Sequence, residues 1–258
     1  MHNSGPNDTF SADDIPLKEL EEAALFHFGY PPLMRSMYQN EGEGLIKVMK
    51  LAQECGAATS LDFSSIDPDS DAGSVDWKKV LSCVLPYVDF FVPSVEELCY
   101  MLDRNLFEQW KVRADGGDIT EILDVEKDIR PLALQCLEMG AKVVLIKCGA
   151  PGMFYKTADR DALDKISKKV GLDCEAWADK EGFEKSYVPE RLLSGTGAGD
   201  TSIAAFLTAI LDGYSPEQTM HLAAATGASC VAAYDALSGL KTFDELEAKI
   251  AAGWKKND

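Results

Sequence analysis

Apolar residues along this chain occur in short, dense runs that are separated by longer stretches with helical spacing. Short runs bounded by glycine, proline or charged residues are typical of buried β-strands. The clearest run is "KVVLIKCG" at residues 142–149, and "APGMFYKT" after it predicts a turn and a hairpin partner. Further strands are predicted at residues 23–30, 57–63 and 87–92, with a short one at 185–190.

Stretches with apolar residues three and four positions apart predict helices between these strands. The first of them, residues 42–56, ends at Gly56, a residue type that often terminates helices. Ser215 and Pro216 have the residue types preferred at an N-cap and at the first helical position. Residues 105–119 are polar and irregular, which predicts an exposed connection. Other helices are predicted near 77–84, from 94 onward, and at 125–140, 198–212 and 242–253.

The alternation of strands and helices favours an α/β fold with a mostly parallel sheet that is covered by helices on both faces. In such sheets ligands bind at the carboxyl ends of the strands. Four polar or glycine-rich features are predicted at that edge. They are Asp62, the segment "PSVEE", the turn "CGAPG" and the turn "GTGAGD".

Composition narrows the function classes. The 258 residues include 25 Lys and Arg against 43 Asp and Glu, so the net charge is −18. Such a chain is a poor candidate for binding nucleic acid or an anionic membrane, although backbone N–H groups and metal ions still permit local phosphate binding. The seven cysteines form no CxxC pair and are interpreted as reduced thiols of a cytoplasmic protein. The first residues show no signal-peptide pattern, and no apolar run approaches the ~20 residues of a membrane helix.

The turn Gly197-Ala198-Gly199-Asp200 immediately precedes an apolar helical pattern. A helix N-terminus offers unpaired N–H groups, and glycines allow an anion to approach the backbone closely. This placement suits a base beside a bound phosphate. The alternative is that Asp200 is an N-cap and that Gly197 and Gly199 only form the turn.

Together these motifs resemble the PfkB/ribokinase family of carbohydrate kinases. The Gly-Ala-Gly-Asp turn is similar to the family's central signature, "DFFVPSVEEL" resembles its strand ending in Pro-Asn-x-x-Glu, and "VVLIKCGAPGMFY" resembles its nucleotide-binding strand and Gly-x-x-Gly turn. The resemblance implies a ribokinase-like three-layer sandwich with a mostly parallel central sheet. It also implies ATP-dependent phosphoryl transfer to a hydroxyl of a sugar or related small polyol.

The resemblance also implies residue roles. Asp200 would be the general base, and the N–H groups of Gly197, Ala198 and Gly199 would form the anion hole. Glu97 would help organise Mg²⁺, and Asp62 at a strand end is a second candidate metal contact. The nucleotide-binding residues would be Lys147, Gly149, Gly152, Thr226 and Ala236.

The sequence departs from the family pattern in two places near the site. Ser194 and Gly195 stand where the family often has Asp-Thr, which makes a monovalent-cation requirement doubtful. Ser94 replaces the Asn of Pro-Asn-x-x-Glu, which removes one expected contact on the metal side.

The front of the chain departs further. Nothing before Ala23 encodes the first strands, the β-lid or the sugar-gripping Gly-Gly turn expected of the family. We therefore interpret residues 1–22 as a polar N-terminal segment and 23–258 as a ribokinase-like nucleotide-binding and catalytic domain without its sugar-binding part. A fragment, a misplaced start and a genuinely shortened protein all stay open, and an uncovered sheet edge would favour a homodimer.

A second hypothesis is a non-catalytic nucleotide-binding or regulatory remnant of such a kinase. A dinucleotide-dependent oxidoreductase is disfavoured, because G-x-G-x-x-G after an early strand is not found. His27 lies in an apolar run and is predicted to be a core residue rather than a catalytic group.

Overall fold

The computed structural model describes residues 5–257, and its strands form one six-stranded sheet in the order β1-β2-β3-β4-β5-β6. Strands β1 to β4 are parallel to one another, and β5 and β6 are antiparallel additions. This arrangement confirms the predicted α/β class and its mostly parallel sheet. The strands are β1 (Leu25–Phe28), β2 (Ala58–Leu61), β3 (Phe90–Phe91), β4 (Val143–Lys147), β5 (Gly152–Thr157) and β6 (Glu181–Lys185).

The parallel strands are in a register that brings their carboxyl ends to one edge. Phe28 pairs with Leu61, Leu61 with Phe91, and Phe91 with Val144. The residues that follow these strands therefore emerge next to one another, as the predicted ligand edge requires.

Helices cover both faces of the sheet. The structure contains α1 (Leu17–Glu22), α2 (Arg35–Glu54), α3 (Trp77–Val84), α4 (Val95–Leu102), α5 (Arg104–Ala114), α6 (Arg130–Glu138), α7 (Arg160–Leu163), α8 (Cys174–Trp177), α9 (Ala198–Leu211), α10 (Pro216–Cys230) and α11 (Phe243–Ala251).

Alternate residues of the strands point into two separate hydrophobic cores. In β4, Val144 and Ile146 belong to the core built with α2, α3, α4 and α6. Val143 and Leu145 belong to the other core, which contains α9 and α10. Two cores separated by one sheet make the three-layer sandwich that the strand–helix alternation predicts.

Local patterning identified most elements, with four corrections. Residues 105–119 are not an irregular connection, because α5 occupies most of them; Asp103 caps its N-terminus and Trp110 is buried. The strand predicted at 185–190 is wrong, since β6 ends at Lys185. The helix predicted at 42–56 belongs to α2, whose backbone leaves the helical region at residues 39–42. The helix predicted at 125–140 begins with a π-helical turn.

Part of the N-terminal segment packs onto the first core. Ile15 and Leu20 are buried in it, and the ammonium of Lys169 donates to the carbonyl of Glu21 at 2.6 Å. The predicted boundary at residue 23 stays a prediction, as does the homodimer. No helix within residues 5–257 is long and apolar enough to cross a membrane.

Candidate active site

A cavity of about 1010 Å³ opens at the carboxyl edge of the sheet. It is reached by the residues that follow β1, β2, β3 and β4 and by the N-terminus of α9. The structure therefore brings the four features predicted at this edge into one cavity. Its predicted lining residues are Asp62, Glu97, Lys147, Gly149, Gly152, Ala198, Gly199 and Asp200.

The glycine-rich turn opens α9 in a conformation that requires glycine. Gly197 is the N-cap with φ of 80°, in the left-handed region, and a Cβ there would overlap that of Ala236. Ala198 and Gly199 are the first two helical residues, so their N–H groups have no intrahelical partner, although the N–H of Ala198 donates to the carbonyl of Gly195 at 3.2 Å. Asp200 is the third helical residue rather than the N-cap, which rules out the capping alternative.

The carboxylate of Asp200 is exposed at the cavity and is contacted by a residue the sequence did not single out. The hydroxyl of Tyr30, which follows β1, donates a short hydrogen bond to Asp200 Oδ1. No predicted strand or motif includes this pairing, because the two residues are 170 positions apart.

Asp62 and Lys147 form an ion pair at the centre of the cavity. Lys147 Nζ lies 2.9 Å from each carboxylate oxygen of Asp62, and both side chains are nearly buried. Burial raises the pKa of Asp62 to about 6, and the attraction of Lys147 only partly offsets this effect. The ammonium also approaches the glycine turn, since a Cβ on Gly199 would lie 3.8 Å from Nζ.

Glu97 is used in a capping box at the start of α4. Its Oε2 accepts from the backbone N–H of Ser94 at 3.0 Å, and the hydroxyl of Ser94 accepts from the N–H of Glu97 at 3.4 Å. Ser94 therefore has a structural role at the start of α4. Within residues 5–257 no group of three or more His, Cys, Asp or Glu could hold a metal. Metal roles for Glu97 and Asp62 stay predictions.

The turn between β4 and β5 admits only glycine at its ends. Gly149 has φ of 63°, and a Cβ there would lie 2.9 Å from the hydroxyl oxygen of Thr120. Gly152 has φ of 141°, and a Cβ there would overlap the carbonyl of Glu184 in β6. The backbone of this turn is thus held close to its neighbours while facing the cavity.

Residues 254–257 pack beside this turn, and Asn257 lines the cavity, which the sequence analysis did not predict. Tyr187 and Lys256 form a β-bridge, and the Trp254 ring packs on Tyr187 with centroids 4.8 Å apart. Asn257 donates its backbone N–H to Ser186 and its side-chain amide to the carbonyl of Ala150 at 3.1 Å. Pairing between segments almost 70 positions apart leaves no local sequence signal.

Four predicted residues lie elsewhere than expected. Gly197 is the N-cap of α9 and is not among the residues that line the cavity. Thr226 does not line the cavity; it is buried in α10 and its hydroxyl donates to the carbonyl of Leu222 at 2.8 Å. Ala236 packs against Gly197 behind the turn and does not line the cavity either. His27 is exposed, with Nδ1 3.0 Å from the hydroxyl of Ser60, so its prediction as a core residue is wrong.

Known proteins resemble this chain in sequence and in fold. The family described as pfkB family carbohydrate kinase matches residues 2–242. An uncharacterized sugar kinase from Archaeoglobus fulgidus is 26% identical over 237 residues, covering 92% of this chain and 72% of that protein. The 2-dehydro-3-deoxygluconokinase of Bacillus subtilis is 29% identical over 132 residues, which is 51% of this chain and 35% of that protein.

Solved structures share the fold. Ribokinase from Arabidopsis thaliana, complexed with ribose and ATP, has a TM-score of 0.59 at 20% identity. Fructokinase from Xylella fastidiosa, with bound ATP, has a TM-score of 0.64 at 17% identity. The alignments cover 93% and 95% of this chain but 59% and 66% of those chains. This chain therefore spans less than two thirds of the length of either solved structure.

Proposed function

We propose that this chain, which belongs to the pfkB family of carbohydrate kinases, transfers the γ-phosphoryl group of ATP to a hydroxyl of a sugar or small polyol. One observation carries the proposal. The open N-terminus of α9, with Asp200 in its first turn, shares a cavity with the Gly149–Gly152 turn. A base, an anion site and a glycine-lined nucleotide site are what this transfer needs in one place.

The helix N-terminus would stabilise the charge of the transferring group. The N–H groups of Ala198 and Gly199 have no intrahelical acceptor, and that of Ala198 would exchange its hydrogen bond to the carbonyl of Gly195 for the bound anion. Together with the adjacent N–H of Gly197 they would form the anion hole. Asp200 would take the proton of the acceptor hydroxyl, because its carboxylate reaches the cavity from the same turn. The acceptor would therefore lie between Asp200 and the bound phosphoryl group.

Lys147 would contribute a positive charge beside this anion hole. Its ammonium lies next to Gly199 and is held there by Asp62. A phosphate oxygen at the turn would share that ammonium with the carboxylate. The ion pair thus keeps the cation in place before nucleotide binds.

Mg²⁺ fits the donor chemistry of this cavity. Mg²⁺ in such sites keeps several waters and is held by one or two carboxylates together with phosphate oxygens. Glu97 and Asp62 both line the cavity and would supply those carboxylates. The bound metal would neutralise phosphate charge, which matters in a cavity that also contains Glu96, Asp118 and Asp200.

A cytoplasmic location and independence from K⁺ belong to the same proposal. All seven cysteines are free, which suits a reducing compartment. Cys230 Sγ lies 3.7 Å from the carbonyl of Thr196 and 3.6 Å from that of Ala236, and it joins the two loops behind the glycine turn. Ser194 and Gly195 stand where the family often has Asp-Thr, so we expect equal turnover in K⁺ and Na⁺ buffers. The non-catalytic alternative is not favoured, since the named relatives are kinases.

The test is a coupled assay of ADP release with Mg-ATP over a panel containing ribose, fructose and 2-dehydro-3-deoxygluconate. Thermal shift with Mg-ATP and with NAD runs in parallel. We expect stabilisation by Mg-ATP alone and ADP release that depends on one acceptor. Stabilisation by NAD without any by ATP would contradict the kinase assignment.

A further inference from the structure

Tyr30 has an unusual backbone conformation at the end of β1. Its φ of 67° and ψ of 46° lie in the left-handed region, which a non-glycine residue rarely adopts, and Pro31 follows it. Two hydrogen bonds hold the conformation: its N–H donates to the carbonyl of Asp62 at 3.3 Å, and its carbonyl accepts from Leu33 at 3.0 Å. Strained residues that are held in this way cluster at functional sites.

The side chain of Tyr30 reaches across the cavity mouth from β1 to α9. Its hydroxyl donates to Asp200 Oδ1, and both residues line the cavity. Burial raises the pKa of the Tyr30 phenol well above its ordinary value, and Asp200, Asp62 and Glu97 raise it further. The phenol therefore stays protonated at neutral pH and acts as a donor, while the carboxylate acts as the acceptor.

Asp200 would otherwise be poorly fixed. It is an exposed carboxylate in the first turn of a helix, where its side chain can rotate toward solvent or toward free N–H groups. The nearest cation of the cavity, Lys147, is already paired with Asp62. Within residues 5–257, Tyr30 is the hydrogen-bond partner of the Asp200 side chain.

We propose that Tyr30 is a positioning residue, which holds Asp200 Oδ1 and leaves Oδ2 directed toward the acceptor hydroxyl. This inference rests on the proposed function. In the transfer step, the acceptor O–H proton passes to Oδ2 as the acceptor oxygen forms its bond to the γ-phosphorus. The bond between that phosphorus and the β–γ bridging oxygen breaks, and ADP leaves with the electron pair. Tyr30 keeps its proton throughout.

The test compares Tyr30→Phe with a matched control, Tyr214→Phe. Tyr214 also lies near a carboxylate, that of Glu247, but packs on Phe243 outside the cavity lining. Steady-state kinetics use Mg-ATP and the acceptor identified in the sugar panel. We expect Tyr30→Phe to lower kcat by about 10–100-fold, the equivalent of a hydrogen bond to a charged group. The KM for ATP should stay within about twofold, and the control should match the unmodified protein.

A second comparison separates positioning from general damage. In an Asp200→Asn background, Tyr30→Phe should cause no further loss of kcat, because the residue acts through Asp200. Unchanged kcat in Tyr30→Phe, or a full additional loss in the double variant, would overturn the proposal while leaving the kinase assignment intact.

Stability measurements test the contact between Tyr30 and Asp200 independently of any enzymatic assay. Urea midpoints of the single variants and the double variant form a thermodynamic cycle. We expect the shift of the double variant to differ from the sum of the single shifts. If the midpoint shifts of the two single variants add up to that of the double variant, the two side chains are not coupled and the proposal is wrong. If the unmodified chain phosphorylates no sugar of the panel, the proposed function fails on that result. The thermodynamic cycle still tests whether Tyr30 and Asp200 interact.

Discussion

The two ends of the cavity are held together by different kinds of interaction. At the end proposed for the nucleotide, the Gly149–Gly152 turn, residues 186–188 and residues 254–257 are joined by backbone hydrogen bonds and close packing. At the end proposed for phosphoryl transfer to the acceptor, Tyr30 contacts Asp200 and Lys147 contacts Asp62 through side chains of distant elements. The first end depends on backbone shape, whereas the second depends on charge.

This difference separates the expected effects of mutation. A change at the backbone-built end should alter stability or nucleotide affinity, because the turn cannot move without its neighbours. A change at the charged end should alter turnover and pH dependence, because its side chains can be replaced without rebuilding the chain path. Four experiments probe the contrast.

The largest effect is expected from Asp200→Asn. The amide keeps the size of the carboxylate but cannot take the acceptor proton, so kcat should fall by about 10²–10⁴-fold. The Kd for ATP from calorimetry should change little, because the base faces the acceptor. Asp212→Asn, at the other end of α9, is the control and should behave as the unmodified protein. Unchanged kcat in Asp200→Asn would remove this residue from the mechanism.

Gly152→Ala should cause the largest loss of stability. The new Cβ would overlap the carbonyl of Glu184 and also occupy a backbone conformation with φ of 141°. We expect a loss of about 3 kcal/mol in the free energy of unfolding. Gly171→Ala is the control, since φ is 72° but nothing lies within 4 Å, and it should cost about 1 kcal/mol. Equal losses in the two variants would show that packing at the turn is unimportant.

The charged end should make stability depend on pH through Asp62. Its folded-state pKa of about 6 is above its unfolded value, so the folded protein binds the proton more tightly. The Asp62 contribution to stability is therefore largest below about pH 4 and declines as the pH rises through about 6. As the pH rises from about 4 to above 6, the free energy of unfolding of the unmodified protein should fall by roughly 2–3 kcal/mol relative to that of Asp62→Asn. Urea unfolding of both proteins at pH 4.5, 5.5 and 7 measures the difference, and parallel curves would contradict it.

Asn257→Ala should have the smallest effect. It removes the hydrogen bond from the side-chain amide to the carbonyl of Ala150. We expect the free energy of ATP binding to weaken by about 1 kcal/mol, which raises the KM for ATP roughly fivefold and leaves kcat unchanged. Asn105→Ala, at an exposed position of α5, is the control. A change confined to the acceptor KM would reverse our assignment of the two ends.

Local sequence patterns predicted the fold because they reflect local physics. The apolar runs of β2 and β4 are buried, and the capping residues Asp76 and Ser215 precede helices whose backbone N–H groups their side chains accept. Helix α5 escaped detection because it buries Trp110 while most of its surface is polar. A helix that is fixed by few buried side chains has little hydrophobic periodicity to reveal it.

The sequence by itself determined the class of the site, since the Gly197–Asp200 turn and the Gly149–Gly152 turn are contiguous motifs with fixed backbone needs. Only the tertiary structure decided which side chains meet there. Asp62 pairs with Lys147 across 85 positions, Tyr30 with Asp200 across 170, and Asn257 with Ala150 across 107. Contacts over such separations depend on strand order and register, which no local pattern of residues encodes.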